Sequence, residues 1–125
     1  MINFFKTCIP FVGAIIDRET PNGIEILIQT RWKPLKDPIY SGTIEFPAGV
    51  MDKKFENVYT VVERAIFEET GVKLKNIKQD SRTEVFSPKG NDGSFGFRPF
   101  CCVQQIKNGK PWVGIIFLCE VEGGE

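Results

Sequence analysis

The sequence predicts an α/β protein in which a mixed sheet carries one packed helix. Runs of β-type residues precede and follow a single stretch of helical period, and Gly and Pro clusters separate them. Phe11 to Ile16 is a β-rich run, and the Pro21-Asn22-Gly23 turn signal parts it from Ile24 to Gln29, whose isoleucines recur with period two, so a hairpin is expected. Pro34, Pro38, Ser41 and Gly42 mark a loop before a short strand from Thr43 to Phe46, which stops at Pro47-Ala48-Gly49. Phe55 to Thr70 is read as the helix, because Phe55, Val58, Tyr59, Val62 and Ile66 fall on one stripe, and Gly71 supplies its stop. A strand at Thr83 to Phe86 follows, then a Gly-rich loop from Ser87 to Gly96. Two strands, Phe100 to Ile106 and Trp112 to Glu120, are joined through Asn108-Gly109.

A chain of 125 residues has room for one domain, 1–125, and 42% hydrophobic residues suffice for a real core. Sixteen Lys+Arg balance sixteen Asp+Glu without a basic run, which argues against a nucleic-acid duplex as partner. The absence of His removes imidazole-based nucleophilic sites and His-ligated zinc. Chemistry must then come from carboxylates, Lys, Arg, Tyr, Cys or an oxygen-bound metal. Cys8, Cys101, Cys102 and Cys119 lack CxxC spacing and read as small core residues of a reduced, cytoplasmic protein. The apolar start, Met1 to Ile16, is broken by Lys6 and Pro10, has no cleavage site and reads as a first strand. No apolar run approaches the roughly 18 residues of a membrane span.

The helix carries the candidate chemistry. Arg64 and Glu68 are i,i+4 neighbours, able to pair with each other or with Glu56, while Glu69 falls within the arc of Val58, Val62 and Ile66. An ionised carboxylate on an apolar arc is costly unless it is paired or bound to a cation. A glycine turn directly before the helix offers backbone carbonyls, and a set of oxygen donors suits Mg²⁺ or Mn²⁺. The plain alternative is a helix whose polar face holds ordinary ion pairs.

The segment Gly49 to Val72 resembles the box of the Nudix hydrolases, G-x5-E-x7-R-E-U-x-E-E-x-G-U with U aliphatic, at Glu56, Arg64, Ile66, Glu68, Glu69, Gly71 and Val72. The resemblance implies an α/β/α sandwich with a mixed sheet and a metal site formed by Glu69, Glu68, Glu56 and the carbonyl of Ala48 or Gly49, with Glu68, Glu69 and Arg64 catalytic. Two departures stand in the box: six residues instead of five separate Gly49 from Glu56, and Ala65 replaces a glutamate that commonly binds metal or serves as base. Glu63 does not replace it, since two residues along a helix turn a side chain roughly 200° away. The chain also stops at Gly123-Gly124-Glu125, where such domains continue to a second helix, so that helix is expected to be missing and a homodimer to cover the exposed face.

Gln29-Thr-Arg31-Trp32 and Glu45-Phe-Pro47-Ala48-Gly49 resemble elements of the ADP-ribose and sugar-nucleotide diphosphatases, which implies Arg31, Trp32 and Glu45 as substrate-binding residues. Ser87-Pro88-Lys89-Gly90 resembles that branch's Ser-Pro-Gly loop, whose catalytic glutamate has its nearest counterpart in Asp92, with Glu84 a second candidate. For Trp32 and Trp112, and for Phe95, Phe97 and Phe100, core packing is the favoured reading over base stacking. Three functions stay open: Mg²⁺-dependent hydrolysis of a nucleoside diphosphate linked to another moiety, nucleotide binding by a weak or inactive domain, and (d)NTP pyrophosphatase activity.

Overall fold

The computed structural model describes residues 8–36, 38–79, 82–86, 89–90 and 92–122. Its spine is a parallel pair, β1 (Ile9–Thr20) beside β10 (Trp112–Glu122), in register from Ile9 opposite Trp112 to Ile16 opposite Cys119. Each spine strand carries two short antiparallel partners end to end on its outer edge. Beside β1 run β5 (Ala48–Val50) and then β2 (Gly23–Ile26), and beside β10 run β9 (Cys101–Gln104) and then β6 (Lys73–Ile77). The six strands form the expected mixed sheet. β3 (Gln29–Thr30) pairs with β4 (Ile44–Glu45), and β7 (Thr83–Phe86) with β8 (Gly93–Gly96), as two separate ribbons.

The helix α1 spans Val58–Thr70 and lies on one face of the sheet. Its start differs from the expected Phe55. Asn57 caps the helix with a side-chain oxygen that accepts from the Thr60 N–H at 2.9 Å, and Phe55 has φ of 62°, outside helical space. Phe55 is therefore 94% exposed and plays no part in the stripe. The stop agrees with expectation: Gly71 takes φ of 76°, and its N–H closes on the Phe67 carbonyl. Val58, Tyr59, Val61, Val62 and Ile66 pack on Val12, Ala14, Ile16, Phe117 and Cys119 of the spine. Phe95 and Phe97 join this core as ring neighbours of Tyr59 and Phe117, which is the packing role favoured for them, whereas Phe100 is half-exposed.

Three expectations need correction. β5 and β6 emerge where no strand was expected, since three residues of Ala-Gly-Val and a Lys-rich run give no clear period-two signal. Part of the Gly-rich loop is strand, because β8 finds its partner in β7; Ser87, Pro88 and Met1 to Thr7 lie outside the described residues. Of the four cysteines only Cys119 is a core residue, all four being free thiols. Among the described residues α1 is the single helix, and no helix is long and apolar enough to cross a membrane.

On the face away from α1, the tip of the Phe11 ring lies against Gly114, so close that any Cβ there would overlap it. Lys78, just after β6, donates to Asp17 of β1 at 2.5 Å and lies 4.0 Å from Glu120 of β10, tying three strands together. Burial, with the negative charge of Asp17 adding to it, pushes the Cys119 thiol up from 9.0 to about 12. The folded protein should therefore keep Cys119 unalkylated by iodoacetamide at pH 8.5 while exposed Cys8 and Cys102 react. Stability from this group is full below the unfolded thiol's pKa near 9 and is lost as the pH rises toward 12, so urea midpoints should fall over that window and fall less in Cys119→Ser.

Candidate active site

The turn that delivers α1 also places its first functional pair. Glu56 stands one residue before the cap, and Arg64, two turns into the helix, reaches back to donate from Nη1 to Glu56 Oε2 at 2.5 Å. The Arg64 and Glu56 side chains are 24% and 16% exposed, so the pair is shielded. The hydrogen bond to Glu56 is the largest cause holding Arg64 above its ordinary pKa; burial opposes it, and the charges of Glu56, Glu68 and Asp52 add to it. The second oxygen, Glu56 Oε1, is buried without a hydrogen-bond partner among the described residues. Glu68 extends outward, with its Oε1 4.0 Å from Arg64 Nε and its side chain 65% exposed.

Glu69 answers the question its sequence position raised. It stands in the last turn of α1, where the arc emerges at the rim of a cleft, so its carboxylate is exposed rather than buried. Glu69 Oε2 accepts from the Ala48 N–H at 3.1 Å and from Gln29 Nε2 at 2.6 Å. Gln29 Nε2 also donates to Glu45 Oε1 at 3.3 Å, and Arg31 Nη1 donates to Glu45 Oε2 at 3.3 Å. One polar chain thus runs Arg31, Glu45, Gln29, Glu69, Ala48 and links the β3–β4 ribbon, the helix end and β5.

Ala65 is 3% exposed, and a Cβ placed on Gly49 would lie 3.0 Å from its own. Helix and β5 therefore meet at the two positions where the box departs or begins. A side chain at Gly49 would force them apart.

The cleft beside Glu69 has a volume of about 690 Å³. Arg31, Lys33, Lys36 and Lys110 supply its cations, Glu45 and Glu69 its carboxylates, Phe11, Tyr40 and Trp112 its aromatic walls, and Ala48, Gly49 and Val50 its floor. Of the expected residues, Arg31, Glu45, Glu69, Ala48 and Gly49 are brought together here. Glu56, Arg64 and Glu68 form a second group along the helix, and Glu68 does not line the cleft. Trp32 is 74% exposed, neither in the core nor at the cleft; the tryptophan at the cleft is Trp112, edge-on to Phe11 with centroids 5.9 Å apart. Glu84 on β7 and Asp92, just before β8, are exposed and do not line the cleft.

Sequence reasoning missed Lys33, Lys36, Tyr40 and Lys110 as cleft residues. The two segments that carry them are some seventy residues apart in sequence, and Tyr40 lies against Gly109. Among the described residues no three Cys, Asp or Glu side chains gather into a group that could hold a metal ion.

Comparison with known proteins gives a consistent picture. Residues 10–125 match the NUDIX domain. No curated protein matches the chain. A MutT NUDIX hydrolase from Burkholderia pseudomallei is similar in structure, with a TM-score of 0.62 at 24% identity over 93% of this chain and 70% of that one. Ap4A hydrolase from C. elegans gives 0.55 at 19% identity over 91% and 68%. RenU, a Nudix hydrolase from M. smegmatis, gives 0.53 at 16% identity over 97% and 65%. At such identities these likenesses speak for the fold, and the chain spans about two thirds of each neighbour's length.

Replacing Glu56 by Gln removes the charge that Arg64 answers inside a shielded pair. The variant should lose about 1.5–3 kcal/mol of stability in urea unfolding, the worth of a hydrogen bond between charged groups.

Proposed function

The chain belongs to the Nudix family, and from that membership and its cleft we propose that it hydrolyses the diphosphate bond of a nucleoside diphosphate linked to another moiety, ADP-ribose-like or a sugar nucleotide. The observation that carries this reading is the joining of Arg31, Glu45 and Glu69 in one hydrogen-bonded chain at the mouth of a cleft with aromatic walls. Arg31, which lines the cleft, would contact phosphate oxygens, and Trp112 would offer an apolar surface to a nucleoside. Single domain organisation over 1–125 is part of the proposal.

Mg²⁺, or Mn²⁺, is the proposed cofactor. The donors are all hard oxygens, and the orphaned, buried Glu56 Oε1 is the atom that most plainly fits a cation. Glu56, Glu68 and Glu69, with the carbonyl of Ala48 or Gly49, are the proposed ligands, although the three carboxylates do not gather into one group among the described residues and would have to be drawn together by the ion. Bound there, such an ion supplies charge to phosphoryl oxygens and lowers the pKa of water. The chain's own residues do the rest: Gln29 and the Ala48 N–H orient Glu69, and Arg64 fixes Glu56.

A second reading has its own observation. Ala65 is packed against Gly49 where the family's box carries a carboxylate, which favours a domain that binds nucleotide and turns it over weakly or not at all. A homodimer is the assembly we propose, since Ile24 and Ile26 on the edge strand β2 are 68% and 50% exposed.

Purified protein with Mg²⁺, incubated with ADP-ribose, sugar nucleotides, dinucleoside polyphosphates and (d)NTPs, should release a nucleoside monophosphate from the first two classes. Glu69→Gln should lower kcat by on the order of a hundredfold with little change in KM. Binding without turnover selects the second reading, and preference for (d)NTPs rejects the substrate class. Light scattering at micromolar concentration should return twice the chain mass of 14.2 kDa, and a value near 14.2 kDa itself rejects the dimer.

A further inference from the structure

The ribbon of β3 and β4 turns one polar face to the end of α1. Gln29 lies opposite Glu45 in the ribbon's register. Arg31 continues the pairing through its N–H to the Thr43 carbonyl at 2.8 Å and, two residues on from Gln29, stands on the same face. The Gln29 amide has two N–H donors, and both go to carboxylates, one to Glu69 Oε2 at 2.6 Å and the other to Glu45 Oε1 at 3.3 Å. Arg31 Nη1 donates to the other oxygen of Glu45 at 3.3 Å.

The short contact fixes Glu69 on the ribbon side. Glu69 Oε2 also accepts from the Ala48 N–H at 3.1 Å, so two donors from outside the helix hold one oxygen. Glu56 and Glu68 belong to a different group, joined through Arg64, and among the described residues the three carboxylates do not gather into a set that could hold an ion. Glu69 joins the other two only by turning from its present position. The 2.6 Å bond from Gln29 is the shortest contact opposing that turn.

Two carboxylates share one neutral amide, so what happens to one bears on the other. Glu45 is balanced by Arg31, the residue proposed to meet phosphate oxygens. A diphosphate that draws Arg31 to itself leaves Glu45, among the described residues, with Gln29 as its remaining hydrogen-bond donor. A carboxylate that is only 29% exposed and has lost its cation holds an amide more firmly. The same amide is thereby drawn from Glu69.

We infer that Gln29 is a positioning residue that restrains Glu69 in the free protein and releases it when a diphosphate engages Arg31, so that a diphosphate and a divalent cation favour each other's binding through this one amide. By linkage the coupling is reciprocal. The inference rests on Arg31 and Glu69 being the diphosphate and cation ends of the site proposed above.

The test is Mn²⁺ titration of the full chain, followed by the paramagnetic resonance of the free ion, with and without the α,β-methylene analogue of ADP-ribose, whose bridge is not hydrolysed. Q29M removes both donors and keeps the side chain's length. Without nucleotide, Q29M should bind Mn²⁺ at least about threefold more tightly than the unsubstituted chain, the worth of one hydrogen bond to an exposed carboxylate. A tighter hold is a sign that mere loosening of the ribbon would not produce. The gain should vanish when Q29M is combined with E69Q, and T30V, on the opposite face of the ribbon, should leave the affinity unchanged. The analogue should tighten Mn²⁺ binding at least about twofold more in the unsubstituted chain than in Q29M, since direct attraction between ion and phosphate is common to both. Equal or weaker nucleotide-free affinity in Q29M overturns the inference, as does a gain that survives with E69Q or an analogue effect of the same size in both chains. Should the circular dichroism of Q29M depart from that of the unsubstituted chain, Q29A answers the same question. Hydrolysis of ADP-ribose with no effect of Q29M leaves the proposed function standing and removes this inference alone, whereas no Mn²⁺ binding by either chain together with no hydrolysis removes both.

Discussion

The parallel pairing of β1 with β10 is the constraint on which the remainder depends. It joins residues about a hundred positions apart, and a parallel pair needs a long crossover between its strands. Everything between the two strands is that crossover: α1 covers one face of the pair, and β5, β2, β9 and β6 line its edges. Loop-closure entropy makes such a contact expensive to form, so it must be held by burial. Val12, Ala14 and Phe117 are wholly buried at this seam, and the close fit of Phe11 on Gly114 seals the other face.

The site follows from where that crossover returns to the sheet. β5 is only three residues long, yet it lies in register against Phe11 to Gly13 and so fixes the height of Ala48 on the sheet. α1 then packs on β5 through Ala65 and Gly49, which sets the position of the helix end. Glu69 meets the Ala48 N–H as a consequence of these two contacts, and Gln29 reaches the same carboxylate from the β3–β4 ribbon. Ile44 on the ribbon is 68% exposed, and the polar chain through Glu45 and Gln29 ties the ribbon to the helix end.

The sequence was most legible where local chemistry is decisive. Gly71 and Asn108-Gly109 mark a helix stop and a turn by their own backbone preferences, and the hairpin between β1 and β2 follows from Pro21-Asn22-Gly23, whereas the Asn57 cap was passed over. Phe55 misled because its spacing fits the stripe while its backbone does not. Strands β5 and β6 were hidden because short strands take their identity from partners rather than from period. At the site, the carboxylates on α1 could be read from spacing, as could Arg31 and Glu45 from their resemblance to a known element. The cleft lysines could not, since Lys33 and Lys36 share no segment with Lys110, and Trp32 drew attention that belongs to Trp112.

Ala65 shows how a single departure can be absorbed by its surroundings. A glutamate at this buried position would bring a charge against the Gly49 backbone, and such a charge needs a partner to be tolerated. With alanine, helix and strand close directly on one another and no cation is required for the fold to stand. The remaining carboxylates have taken partners from the protein itself: Glu56 has Arg64, and Glu69 has Gln29 and the Ala48 N–H. A cation entering this site must therefore compete with hydrogen bonds already made, and only Glu56 Oε1 offers a buried oxygen with nothing to lose. On the proposed function, the balance between those internal partners and an incoming ion would set whether the box hydrolyses a nucleotide or only holds it.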